Sequence, residues 1–106
     1  MAEVERRLKA RFSISLPVAL RSENQESEIP GITRDISANG TYVYIEADEF
    51  AEAAPVDCIL LLPREVTLGE PSSIRCKAQV VRVDARESGG LGIALQIDSY
   101  EFLRMA

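Results

Sequence analysis

The sequence predicts an all-β domain, a small antiparallel barrel closed or nearly closed on itself. Three observations predict it. Apolar and polar residues alternate strictly over several short runs, clusters of turn formers separate those runs, and 106 residues suit one core of five or six strands.

Residues 11–20, RFSISLPVAL, place Phe12, Ile14, Leu16, Val18 and Leu20 on one face and Ser13, Ser15, Pro17 and Ala19 on the other. This is a half-buried strand. Pro17 has no backbone donor, which predicts an edge position or a bulge. The polar stretch SENQESE separates it from a second run, Ile29 to Arg34, bent at its start by Pro30-Gly31. DISANG then gathers turn formers before GTYVYIE, so the flanking runs form a hairpin in which Asn39-Gly40 supplies the positive φ of a tight connection. ADEFAEAA reads as one or two helical turns stopped by Pro55, and VDCILLLP, SIRCKAQVVRVDA and GLGIALQI as three further strands, with turns at LGEPSS and ARESGG. In DSYEFLRMA, Asp98 and Glu101 have the spacing of a helix N-cap and its N3 partner, which predicts a short C-terminal helix packed through Tyr100, Phe102 and Leu103.

Composition excludes several classes of function. The longest apolar run, Cys58 to Pro63, is far short of the roughly 20 residues of a membrane span, and the charged start MAEVERRLKA is no secretory signal. The chain is read as soluble and cytoplasmic, without membrane insertion. It has no histidine and only Cys58 and Cys76, so neither a histidine-based triad nor a Cys/His zinc site can be assembled. The cysteines lie within strand-like runs and read as buried small hydrophobes. A net charge of −5 argues against a nucleic-acid polymer held on a broad basic face. The basic charge is concentrated, however: Arg6, Arg7, Lys9 and Arg11 put four of twelve positive charges into six residues, whereas Glu46, Asp48, Glu49, Glu52 and Asp57 form a stretch with no basic residue. A small, strongly anionic partner at the N-terminal end fits this distribution.

Two clusters carry chemistry. Arg7-Leu8-Lys9-Ala10-Arg11 is an RxxxR, and Asp35-Ile36-Ser37-Ala38-Asn39-Gly40 a DxSxxG, with 23 residues between Arg11 and Asp35. Taken singly, the first is a solvated tail and the second an ordinary turn in which Asp35 and Ser37 bond to backbone N–H groups. In this order and at this separation, followed by KAQVVRVD and by GGLGIAL, they make the sequence resemble the PilZ family over most of its length. The resemblance implies a six-stranded antiparallel β-barrel of PilZ type with a short C-terminal α-helix, divided into a basic arm, residues 1–11, and the barrel with its helix, residues 12–106. It also implies a receptor for the bacterial second messenger cyclic di-GMP, and so a binding module, with a ligand instead of a cofactor.

The residue chemistry agrees with that implication. A guanidinium forks onto phosphate oxygens or onto O6 and N7 of guanine, so Arg7 and Arg11 suit both parts of the ligand, where lysine offers only a point charge. Asp35 can accept from the N1–H and N2–H of guanine, an edge that adenine lacks, and Ser37 can bond to the same edge or to a phosphate. Gly40 lets the turn close with its backbone near the ligand. Asn39 stands where many family members have a second glycine, and tolerates the same left-handed conformation. Arg82 lies where family members often place a large or basic residue near the ligand; an outward-facing strand arginine is the plain alternative. Lys9 contributes at long range only, and Tyr42 and Tyr44 read as sheet-surface or core residues. Within the family an arginine just before RxxxR accompanies two intercalated ligands per chain, so Arg6 implies two.

The expected function is a cyclic di-GMP receptor or adaptor whose arm is ordered by the ligand and which signals to an unidentified effector protein in motility or biofilm control. The alternatives are a PilZ-like interaction domain that ignores the nucleotide, whose known members usually lack both motifs, and a single-strand-binding barrel, disfavoured by the charge and the absence of tryptophan. No nucleophile with a neighbouring base can be named, so an enzyme is not expected.

Overall fold

In the computed structural model, which describes residues 13–22, 28–47, 50 and 55–103, all six runs contain strands. These are β1 (Pro17–Ser22), β2 (Ile29–Ile36), β3 (Gly40–Ile45), β4 (Pro55–Leu62), β5 (Ser72–Ala85) and β6 (Leu91–Leu103), with one helical turn, α1 (Arg64–Thr67), between β4 and β5. Every pairing is antiparallel, and the order β1-β2-β3-β6-β5-β4 closes on itself because β1 also pairs with β4. Closure leaves no edge for Pro17, contrary to the sequence reading. Pro17 is instead the first residue of β1, opposite Ile32 of β2 and before the pairing with β4 begins at Val18, where its missing N–H breaks no ladder.

The alternation in the sequence becomes the inside of the barrel. Leu16, Val18 and Leu20 are buried with Val43, Ile45, Leu60, Leu62, Ile74, Val80, Ile93 and Leu95. Cys58 and Cys76 are register partners on β4 and β5, both free and buried in this core. Burial raises both thiol pKa values, that of Cys76 to about 12. Phe12 and the arm lie outside the described residues, as do residues 48, 49 and 51–54 of the expected helical turns before Pro55.

Thr33 ties the segment ahead of β1 to β2. It is fully buried, its Oγ1 donates to the Ile14 carbonyl at 2.6 Å and accepts the Leu16 N–H at 2.9 Å, and its own N–H reaches the Leu16 carbonyl at 3.0 Å. The root of the N-terminal segment is thereby fixed two residues from Asp35.

The expected C-terminal helix does not form through residue 103. Asp98 is an extra residue in β6, between pairs Ala78–Ile97 and Lys77–Ser99, and the chain continues as strand to Leu103. Tyr100 and Phe102, opposite Cys76 and Ile74, pack against the core, their rings edge to face at 5.7 Å. The local capping pattern yields to these cross-strand contacts, which a helix beginning at Asp98 would forgo.

The outer surface has two characters. On β2 and β4 it includes the apolar Ile32, 53% exposed, and Leu61, 43% exposed, whereas across β3, β6 and β5 it carries Tyr42, Tyr44, Gln96, Arg82 and Asp84.

Candidate functional site

A regular strand would point several of these polar side chains the wrong way. In β5, Ile74, Cys76, Ala78 and Val80 face inward, so unbroken alternation would send Arg82 and Asp84 inward as well. A bulge prevents this: Val80 pairs with Leu95 and Arg82 with Ala94, leaving Val81 as the extra residue and turning Arg82 and Asp84 outward. A second bulge does the same in β2. Thr33 pairs with Val43 and Asp35 with Tyr42, so Arg34 is the extra residue and both Arg34 and Asp35 join the outer face. The two bulges thus flank Tyr42 with two arginine–aspartate pairs.

Tyr42 organises the centre. It leans across β6 at Gly92, where a Cβ would lie 2.7 Å from ring atoms Cε1 and Cζ, and its hydroxyl donates to Asp84 Oδ2 on β5 at 2.6 Å. The Arg34 guanidinium stacks on the ring at 4.0 Å and that of Arg82 lies 5.9 Å from its centroid. Tyr44 meets Tyr42 edge to face at 5.6 Å and carries Arg86 at 4.0 Å. Each groove arginine has a carboxylate: Arg34 Nε lies 2.9 Å from Asp35 Oδ2, and Arg82 Nε 3.0 and 3.2 Å from the two oxygens of Asp84. The hydrogen bonds from Tyr42 and Arg82 lower the Asp84 pKa, while burial, reinforced by Asp84, raises that of Tyr42. Beside this cluster lies an open groove of about 390 Å³, walled by Arg34, Asn39, Gly40, Tyr42, Arg82 and Gln96 among others.

The DxSxxG residues occupy different roles in this frame. Asp35 belongs to β2 rather than to the turn; its side chain is 8% exposed, beneath Arg34, and its carbonyl accepts the Thr41 hydroxyl at 2.6 Å. Ser37 is buried within the turn, its N–H donating to the Gly40 carbonyl at 2.8 Å and its Oγ spanning the same carbonyl and the Asn39 N–H, each at 3.3 Å. The plain turn reading therefore describes Ser37 in this state. Asn39 is exposed, and its carbonyl is anchored by the Ile97 N–H at 2.9 Å.

The expected positive φ is found at neither Asn39 nor Gly40; among the described residues it occurs at Leu68, Gly89 and Gly90. Glycine is required at position 40 for another reason. A Cβ there would sit 2.7 Å from the Leu95 carbonyl oxygen, because β3 starts at Gly40 in close contact with β6.

Of the residues singled out in the sequence, the structure brings Asn39, Gly40 and Arg82 to one groove, with Asp35 behind Arg34 at its side; Arg6, Arg7 and Arg11 lie outside the described residues. Sequence reasoning missed Arg34, Asp84 and Gln96 and undervalued Tyr42. A basic residue next to the motif aspartate and two charges in phase with the buried positions of β5 were the available signals, since each demands a bulge.

Around Tyr42 two arginines stand against two aspartates, and Arg86, over Tyr44, adds a third guanidinium. The sequence carries four further basic residues, Arg6, Arg7, Lys9 and Arg11, ahead of the segment that Thr33 pins to β2.

A sequence model of the family described as PilZ domain matches residues 5–103. Among solved structures, the chain is similar to that of the Bacillus subtilis inhibitor of motility (MotI/DgrA), with a TM-score of 0.71 and 24% identity over 86% of this chain and 42% of that one. The chain therefore spans less than half the length of that protein, and the likeness is one of fold. No curated protein matches the chain.

Proposed function

The chain belongs to the PilZ family, and on that premise we propose that it is a cyclic di-GMP receptor which, on binding, changes the surface it offers to an effector protein. The observation that carries this reading is the placement of the DxSxxG turn against a groove that already contains two guanidiniums and a tyrosine ring, on the strand to which the root of the RxxxR segment is tied. Arg82 and Arg34 offer planar forks to phosphate oxygens or to the O6/N7 edge of guanine. Asp35 supplies the acceptor that selects guanine once Arg34 turns to the ligand. Arg7 and Arg11 close the site from the N-terminal side and add positive charge to a groove whose own two arginines are paired with aspartates. No step of this reading needs a nucleophile or a cofactor.

Two ligands per chain follow from the same charge argument. A stacked pair brings four phosphate charges into one site, against which Arg6, Arg7 and Arg11 set three, with Lys9 adding to them at long range. The output is a change of shape, with the arm drawn over the groove as its mutual repulsion is neutralised. Motility is the process named for the similar Bacillus subtilis protein, and is extended to this chain, alongside biofilm control, only as part of this proposal.

Isothermal titration of the whole chain with cyclic di-GMP, with cyclic di-AMP as control, tests the reading. Saturation at two equivalents is expected, moving toward one in Arg6→Leu, with severe weakening in Arg11→Ala and Asp35→Ala. Absence of binding would refute the receptor function in favour of an interaction domain that ignores the nucleotide; saturation of the parent at one equivalent would refute only the stoichiometry.

A further inference from the structure

Asp84 is placed where a ligand-binding groove has least use for a negative charge. Its carboxylate takes the Arg82 Nε–H on both oxygens, at 3.0 and 3.2 Å, and is fixed by a third contact from β3, the Tyr42 hydroxyl at 2.6 Å. This arrangement depends on two devices: the bulge at Val81, which turns Arg82 and Asp84 to the same side, and Gly92, which lets the Tyr42 ring pass over β6. The Nε–H of Arg82, one arm of the side-on fork that a phosphate or a guanine edge could use, is therefore engaged by Asp84, which fixes how the guanidinium faces the groove. The pair is also exchangeable, since the Arg82 side chain is 60% and the Asp84 side chain 40% exposed. Arg82 already lines the groove, and the Tyr42 hydroxyl holds Asp84 independently of it.

We propose that Asp84 is an internal competitor for Arg82, holding that guanidinium while the groove is empty and so setting the affinity of the site. This rests on the receptor reading above and adds a residue that weakens binding, where the motif residues strengthen it. Asp84 is a positioning residue that acts through Arg82. Its opposite number, Asp35, is almost covered and lies within the turn motif, so the exposed pair is the one that can exchange at small cost.

The variant Asp84→Asn tests the proposal, because the amide oxygen can still accept from Tyr42 while the charge that holds Arg82 is gone. Titration with cyclic di-GMP is expected to show binding about two- to five-fold tighter than the parent, the range an exposed ion pair commands. In an Arg82→Ala background the same substitution is expected to change affinity by less than about 1.5-fold. In the ligand-free protein, the Arg82 Nε–H resonance is expected to shift in Asp84→Asn and in Tyr42→Phe, which reads the contact without any nucleotide. Unchanged or weaker binding by Asp84→Asn, or an equal gain in the Arg82→Ala background, would overturn the competitor role. A parent that binds no cyclic di-GMP would overturn the receptor reading, and the competitor with it.

Discussion

Replacing Gly92 by alanine tests how the outer face is built. A methyl group there would lie 2.7 Å from Cε1 and Cζ of Tyr42, against the roughly 3.5–4.0 Å of an unstrained carbon contact, so the ring has to withdraw by about 1 Å. That movement breaks the 2.6 Å bond to Asp84 and disturbs the 4.0 Å stacking of Arg34. Overpacking of this kind costs about 1–3 kcal/mol, and removing a strand glycine returns roughly 0.5–1 kcal/mol, which leaves a net loss of about 0.5–2 kcal/mol. For a domain of this size the corresponding fall in Tm is roughly 2–12 °C. Thermal and urea unfolding would measure it. The decisive comparison is Tyr42→Ala, in which the methyl has nothing to meet. There the same substitution is expected to be neutral or stabilising by up to about 1 kcal/mol. An equal destabilisation in both backgrounds would refute the reasoning, placing the cost in the β6 backbone.

Four further outcomes follow from the geometry. Gly40→Ala is expected to lower stability by about 1–3 kcal/mol with no nucleotide present, because its Cβ meets the Leu95 carbonyl; an unchanged urea midpoint would refute this. Thr33→Val keeps the side-chain volume but strands the buried Leu16 N–H and the Ile14 carbonyl, for a loss of about 1–3 kcal/mol in urea unfolding, and a loss below about 0.5 kcal/mol would show that the segment repairs itself. Cys58 and Cys76 are expected to react with a thiol reagent at pH 8 only as fast as the barrel opens, whereas reaction at free-thiol rates in the folded protein would contradict their burial. The same thiols give stability a sign at high pH. The unfolded chain ionises its thiols near 9.0 and the folded state resists until about 12 at Cys76, so the thiol contribution to the unfolding free energy should be flat below pH 8 and fall between pH 9 and 12 in urea titrations.

Most of the strands were legible in the sequence because their inward faces are period-two runs of apolar residues, and burial of one face suffices to fix both the element and its orientation; β2, with Thr33 inward and Ile32 outward, was legible only as a strand-like run. The family was legible because RxxxR and DxSxxG are local strings. The RESGG turn was legible as well, and it is there that two glycines take positive φ, while Asn39-Gly40 closes its hairpin without it. The closing of β1 on β4, which denies Pro17 an edge, is a pairing between residues far apart in the chain that no local pattern records. The end of the chain shows the same limit, since an N-cap spacing at Asp98 is overridden by pairing with β5. The groove itself belongs wholly to the tertiary structure. Only the registers of β2 on β3 and of β5 on β6 decide that Arg34 and Val81 are extra residues, and those two bulges turn Asp35, Arg82 and Asp84 onto the surface that Arg34 already faces around Tyr42. A sequence states which side chains are present and with what period. Which of them share a face across three strands is set by where the backbone ladders slip, because each slip of one residue reverses the direction of every side chain beyond it.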